Sequence, residues 1–118
     1  MDSKESIENC LLTRNDVVRA IIQCSSLAEL RFQGTNLSGA DLSLLDLQHV
    51  NFKHANLRDC DLSGANLSHC NLERANMQRC KLDGAQLLSV RMVCTNLESA
   101  SLKCCNFDDP HGFRASME

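Results

Sequence analysis

The sequence predicts an all-β solenoid of stacked coils, preceded by a short capping α-helix. Three observations predict it. A five-residue period runs unbroken from residue 30 to residue 107, its inward pattern suits neither a helix nor a straight strand, and one helix-like segment stands just ahead of it. Length and composition set the frame. At 118 residues the chain has room for one core. Hydrophobic residues make up 43% but aromatics only 3%, with no Trp or Tyr, so the interior must be built from Leu, Ala and Cys.

The chain divides into a polar segment at 1–12, expected to be disordered, a capping helix and link at 13–29, the solenoid at 30–107, and an irregular break at 108–118. Thr13 is a good N-cap and Asp16, at N3, completes a near capping box. Val17, Val18, Ile21 and Ile22 form an apolar stripe at helical spacing. A solenoid end exposes core and unpaired edges, so this helix reads as a lid over the first coil. The opening residues lack a basic stretch followed by an apolar one, so no signal peptide is expected.

The repeat is read from its centre residues: Phe32, Leu37, Leu42, Leu47, Phe52, Leu57, Leu62, Leu67, Leu72, Met77, Leu82, Leu87, Met92, Leu97, Leu102 and Phe107. All are large and apolar. Two residues before each stands a second class, mostly Ala, Cys, Val or Thr, as at Ala40, Cys60 and Val50. Asn or Asp usually separates the two, as at Asn36 and Asp41. Inward residues therefore alternate in steps of two and three. The step of two is a strand-like pair; the step of three adds one residue at a bend. Corners of one hand, every five residues, wind the chain into a coil that stacks at the strand spacing of about 4.8 Å. The residue after each centre, such as Ser63 or Ser68, faces outward in this register.

This unit resembles the pentapeptide-repeat family over about residues 30–107. The resemblance implies a right-handed, four-sided β-helix with four pentapeptides per coil, and hence about four coils. Residues twenty apart then form ladders. Asn36, Asn56, Asn76 and Asn96 share one, where stacked amides can bond each other and the turn backbone.

At the far end, DDPHGF puts Pro110 and Gly112 where inward residues belong. Ala115 and Met117 then fall back into register. No second capping helix follows, which predicts either a piece of a longer solenoid or an end that pairs with another copy. The stretches GTNLSGADLSLLDLQHVNFKHANL, CNLERANM and SLKCCNFDDPHGF also resemble the pentapeptide-repeat branch of the potassium-channel-tetramerisation-domain BTB/POZ family. In that branch a BTB domain that recruits a cullin-three scaffold precedes the repeats, and the repeats present substrates to a ubiquitin ligase. The resemblance therefore implies a substrate-facing region, without the BTB domain.

A filled coil offers no cleft for catalysis, so an enzyme is not expected, and no cofactor or metal is assigned. Eight Cys without a signal peptide predict free thiols in a reducing compartment, the cytoplasm or also the nucleus. Cys60 and Cys80 share a column, with Cys70 and Cys105 at comparable inward sites. Their functional reading is a metal or redox pair; the stronger one is a small buried hydrophobe. Cys104 and Cys105 should point opposite ways. His49 and His69 share an outward column with Asp109 and read mainly as solvated turn residues, with a metal or pH-sensitive patch as the alternative.

The candidate partner face is Lys53, His54, Arg58, Arg74 and Arg79, interleaved with Asp59, Asp61 and Glu73. A nucleic-acid patch would lack those acids and add aromatics, so nucleic acid and membrane are not expected as partners. Some family members mimic DNA and bind a topoisomerase. That role needs a strongly negative surface, whereas residues 31–109 hold nine acids and eight bases. The leading expectation is a protein-interaction scaffold of a BTB–cullin adaptor. The alternative is a structural solenoid that joins end to end as a homodimer.

Overall fold

A computed structural model describes residues 10–107 and the backbone of 116–117. Its architecture is a ladder of parallel bridges. Between residues 31 and 106 every bridge joins partners twenty apart, as in Arg31–Asn51, Asn36–Asn56, Asp41–Asp61 and Asp46–Asn66. Twenty residues therefore make one coil, with four paired positions and four sides. The sides are named by their centre residues: first (Phe32, Phe52, Leu72, Met92), second (from Leu37), third (from Leu42) and fourth (from Leu47). Each side pairs through a single residue before the chain turns, so the coil is a stack of bridges with almost no extended strand.

The bonding follows one rule. The N–H of a centre residue donates to the Asn/Asp-position carbonyl one coil up, as Leu37 does to Asn56 at 2.8 Å. That Asn56 in turn donates its N–H to Thr35, also at 2.8 Å. Within the repeat, the centre carbonyl accepts from the small residue three positions on, as Leu37 does from Ala40 at 3.1 Å. The second of the two residues between them has a positive φ at every corner from Gly34 to Cys104. This is the signature of a type II turn, whose third residue must sit in the left-handed region. Only four of these corners are Gly. Three others are His49, His54 and His69, a residue type enriched there.

The Asn/Asp side chains serve their own turns. The Oδ1 atoms of Asn36, Asn56, Asn76 and Asn96 accept from the N–H two residues on, at 3.0–3.2 Å. These are Asx turns, which preset the corner. The expected amide ladder is thus a ladder of backbone bridges with each side-chain oxygen turned to its own corner.

The core is the predicted one from Phe32 to Met92, all buried, with the Phe32 and Phe52 rings stacked at 5.7 Å. Leu97 and Phe107 are only half-buried and Leu102 is 36% exposed. They line the upper rim of the fourth coil, where the N–H groups of Leu97 and Leu102 meet no backbone acceptor among the described residues. Ser68 departs from its expected outward place. It is 2% exposed, because Leu88 in the next coil lies on it and donates its N–H to the Ser68 Oγ at 3.3 Å.

Cysteine at the small site does more than fill space. The Sγ atoms of Cys60, Cys70, Cys80 and Cys105 each donate to a centre carbonyl one coil down, at Leu37, Leu47, Leu57 and Leu82. Thr95 does the same to Leu72 through Oγ1 at 2.6 Å. These carbonyls already accept a turn N–H, so the thiol takes the second lone pair. Burial pushes the Cys70 thiol up to about 12. The Cys80 thiol is raised as well, first by the adjacent Cys60 thiol and then by burial. Cys105 is half-buried and Cys104 exposed, as alternation requires.

Helix α1 (Arg14–Gln23) forms where expected, with Thr13 as N-cap and the capping box to Asp16 in place. The Thr13 backbone bond holds the Asp16 carboxyl below its usual value. The buried stripe is rotated from the predicted one. Val17 is fully buried, Ala20 and Ile21 pack partly on the core, and Ile22 is 76% exposed. The first coil's rim decides this, since it meets only one edge of the helix. The chain joins that rim before the helix. Leu11 bridges Asn36, and Leu12 donates its N–H to the Asn36 carbonyl at 2.8 Å. Ordered structure therefore starts ahead of residue 13; residues 1–9 lie outside the described residues. The Arg14 guanidinium donates to the carbonyls of Asp41 and Ser43 at 2.9 and 3.0 Å. These are rim oxygens of the kind that take a coil-to-coil N–H elsewhere in the stack.

Far along the chain, β1 (Arg91–Met92) pairs in parallel with β2 (Ser116–Met117), Met92 opposite Met117. The offset is 25 rather than 20, so the break consumes one whole pentapeptide and Met117 returns to the centre register. Asp109, Pro110, Gly112 and Ala115 lie outside the described residues.

Replacing Leu67 by Asp is expected to abolish cooperative unfolding, and Leu67→Ala to cost about 2–5 kcal/mol. Ser63→Ala should stay within about 0.5 kcal/mol. Chemical denaturation checks the contrast; equal effects would refute the register. All eight thiols are free. In denaturant without reductant all should react with a thiol reagent. In the native protein Cys10, Cys94 and Cys104 should react at once and Cys60, Cys70 and Cys80 stay protected, and reaction of the buried three at the same rate would refute the packing.

Candidate interaction surface

The column arithmetic sorts charge by side. Across residues 31–107, the first and second sides carry Arg31, Lys53, Arg58, Arg74, Arg79 and Arg91 against Asp59, Glu73 and Glu98, a net of +3. The third and fourth carry Lys81 and Lys103 against Asp41, Asp46, Asp61 and Asp83, a net of −2. The small net charge of the repeat run hides a bipolar surface. A surface with this basic half does not imitate the phosphate backbone of DNA.

Of the five predicted residues, Lys53 and His54 sit on the first side in the second coil, and Arg74 stands directly above His54 in the third. Arg58 and Arg79 occupy the neighbouring second side. His54, Arg74 and Arg79 are exposed corner residues with positive φ, so their side chains leave the coil at its most prominent points. Arg79 is engaged. Its Nε and Nη2 atoms donate to the two Asp59 oxygens at 2.8 and 3.1 Å. This bidentate bond holds the Asp59 carboxyl below its usual value. Arg58 differs. Its Nε is buried and has no hydrogen-bond partner, the one such side-chain nitrogen among the described residues.

Asp61, read with this face from sequence, belongs to the third side instead, where it bridges Asp41 and Lys81. Two basic residues escaped the sequence reading. Arg31 and Arg91 lie on the first side, in the column of Asn51 and Asn71. The twenty-residue count would have found them; proximity along the chain did not. Arg91 Nε donates to Glu73 at 3.1 Å across neighbouring coils, so Glu73 is engaged. Lys53, His54, Arg58 and Arg74 remain as a group on two adjacent sides of coils two and three. Among the described residues no cluster of three or more His, Cys, Asp or Glu could hold a metal ion, and no helix is long and apolar enough to cross a membrane.

The family model for pentapeptide repeats matches residues 25–64 and 60–93, in eight copies. The chain is 68% identical over 107 residues to the human BTB/POZ domain-containing protein KCTD9, covering 91% of this chain and 28% of that protein. A shorter match, 55% identical over 29 residues, is to the mouse protein of the same name, covering 25% of this chain and 9% of that protein. The chain thus spans under a third of the curated relatives it matches. Among solved structures it is similar to the pentapeptide-repeat protein Rfr23 of the cyanobacterium Cyanothece 51142, at 31% identity and a TM-score of 0.43, covering 75% of this chain and 60% of that one. With the matched residues taking up more than half of its length, and a five-residue unit bridging at intervals of twenty, the chain belongs to the pentapeptide-repeat family.

Proposed function

We propose that this chain is a non-catalytic protein-interaction scaffold whose first and second sides receive an acidic stretch of a partner protein. The observation that carries the reading is the segregation of charge by side, six basic against three acidic residues on the two sides named. The coil core is filled by apolar side chains, which suits a rigid display surface better than a catalytic cleft. Similarity to KCTD9, a BTB/POZ domain-containing protein, supports reading the chain as the repeat region of a BTB-type protein; we extend the proposal to the substrate-recognition repeats of an adaptor of a cullin-three ubiquitin ligase, acting in the cytoplasm or nucleus. Helix α1 serves this scaffold as the N-terminal lid, supported by Arg14 on the Asp41 and Ser43 carbonyls and by the burial of Val17. Right-handed winding is taken with the family.

A second reading is end-to-end self-association, favoured by the half-buried Leu97 and Phe107 and the exposed Leu102 on the upper rim. Sedimentation distinguishes it: a chain with a designed polar helix appended after Glu118 loses the dimer if the rim forms it.

A fluorescent oligoglutamate peptide, followed by anisotropy at low salt, tests the leading reading. The triple change Lys53→Ala, Arg58→Ala and Arg74→Ala is expected to weaken binding at least tenfold. Lys81→Ala with Lys103→Ala, on the third side, should leave it within twofold. Equal losses in both variants would refute a sided surface.

A further inference from the structure

We propose that His49 and His69 form a binding site for a borderline divalent transition-metal ion, with Zn²⁺ as the representative. The two residues occupy the same corner of successive coils, following the fourth side. Their rings stack with centroids 4.7 Å apart and planes 5° from parallel. Both are exposed. Both have φ in the left-handed region, at 67° and 64°, so their Cα–Cβ bonds leave the stack in the same direction. The backbone holds this alignment: the His49 N–H donates to the Ser68 carbonyl at 3.1 Å and the His69 N–H to the Leu88 carbonyl at 2.8 Å. The coil thus holds the two Cα–Cβ bonds side by side, leaving only side-chain rotation to bring the imidazoles onto one ion.

Imidazole nitrogen is a preferred ligand for Zn²⁺, Cu²⁺ and Ni²⁺. At a metal–nitrogen distance of about 2.0–2.1 Å, two nitrogens on one ion stand about 3–4 Å apart, depending on the angle between them. In the stacked arrangement the ring planes are parallel, so the two nitrogens converge on one ion only after the rings swing apart about χ1 and χ2, rotations that two exposed side chains are free to make. The chain supplies two ligands, leaving further coordination positions for water or for a side chain from outside. An ion held here presents an open Lewis-acid site on the solenoid surface, suited to a bridged contact with a His or carboxylate of a partner. His54 provides the internal contrast. It sits on an equivalent corner with φ 62°, but its column neighbours are Gly34 and Arg74, so it has no second imidazole.

The test uses the 118-residue chain with its three exposed thiols replaced (Cys10→Ser, Cys94→Ser, Cys104→Ser), because thiolates compete for zinc. Isothermal titration with Zn²⁺ should show one equivalent. His49→Asn and His69→Asn, chosen because Asn tolerates a left-handed corner, should each lower the affinity at least tenfold. His54→Asn should leave it within twofold. The imidazole NMR signals of His49 and His69 should shift together on titration, with circular dichroism unchanged in every variant. Retained affinity in either single variant, an equal loss in His54→Asn, or a shift of one imidazole without the other would overturn the proposal.

Discussion

Every feature of this molecule depends on one backbone constraint, a tight turn at every fifth residue whose third position takes a left-handed conformation. Eleven of the fifteen corners place a non-glycine residue there. Such a residue costs about 1–2 kcal/mol. Each repeat recovers roughly 1.5–3 kcal/mol by burying one large apolar side chain. Within one coil the balance is thin once chain entropy is counted. It becomes favourable only when coils stack, because the coil-to-coil bonds and the second covered face of each Leu exist only between neighbours. The fold is therefore cooperative along its axis, and its terminal coils are its weak points.

The same constraint governs the small site. Close approach of the backbone at each corner leaves room for Ala, Val, Thr or Cys, and places that side chain over a carbonyl of the coil below. Cys and Thr exploit it by donating to that oxygen, with Cys60, Cys70, Cys80, Thr95 and Cys105 all following one geometry. A cysteine content that looks like chemistry is thus largely architecture. Cys70 and Cys80 are poor nucleophiles, since burial raises Cys70 and the adjacent Cys60 thiol together with burial raises Cys80.

On the outside, the corners are the most prominent points of the stack, and they hold residues of chemical interest: His49, His54, Asp59, His69, Arg74, Arg79 and Cys104. Because the coil repeats every twenty residues, chemistry is organised by columns and sides. Opposite charges on adjacent coils, Arg79 over Asp59 and Arg91 over Glu73, tie the coils together at the surface. What those pairs leave unengaged is the surface open to a partner.

Much of this was legible in the amino-acid sequence. The five-residue period, the buried ladder from Phe32 to Met92, the capped helix after Thr13 and the alternation of Cys104 and Cys105 follow from local spacing and side-chain size, which act within a few residues. Three things were decided only by the tertiary structure. Ser68 is buried because Leu88, twenty residues later, lies on it; Ile22 is exposed because the first coil's rim meets one edge of the helix; and the chain past the break rejoins the stack at an offset of 25, with Met117 opposite Met92. The sided charge, with Arg31 and Arg91 joining the basic half, and the stacked imidazoles likewise arise between coils. The physical reason is common to all. A local period determines which way each side chain points, whereas what it meets there depends on residues a full coil away, and only the closed winding of the chain brings those into contact.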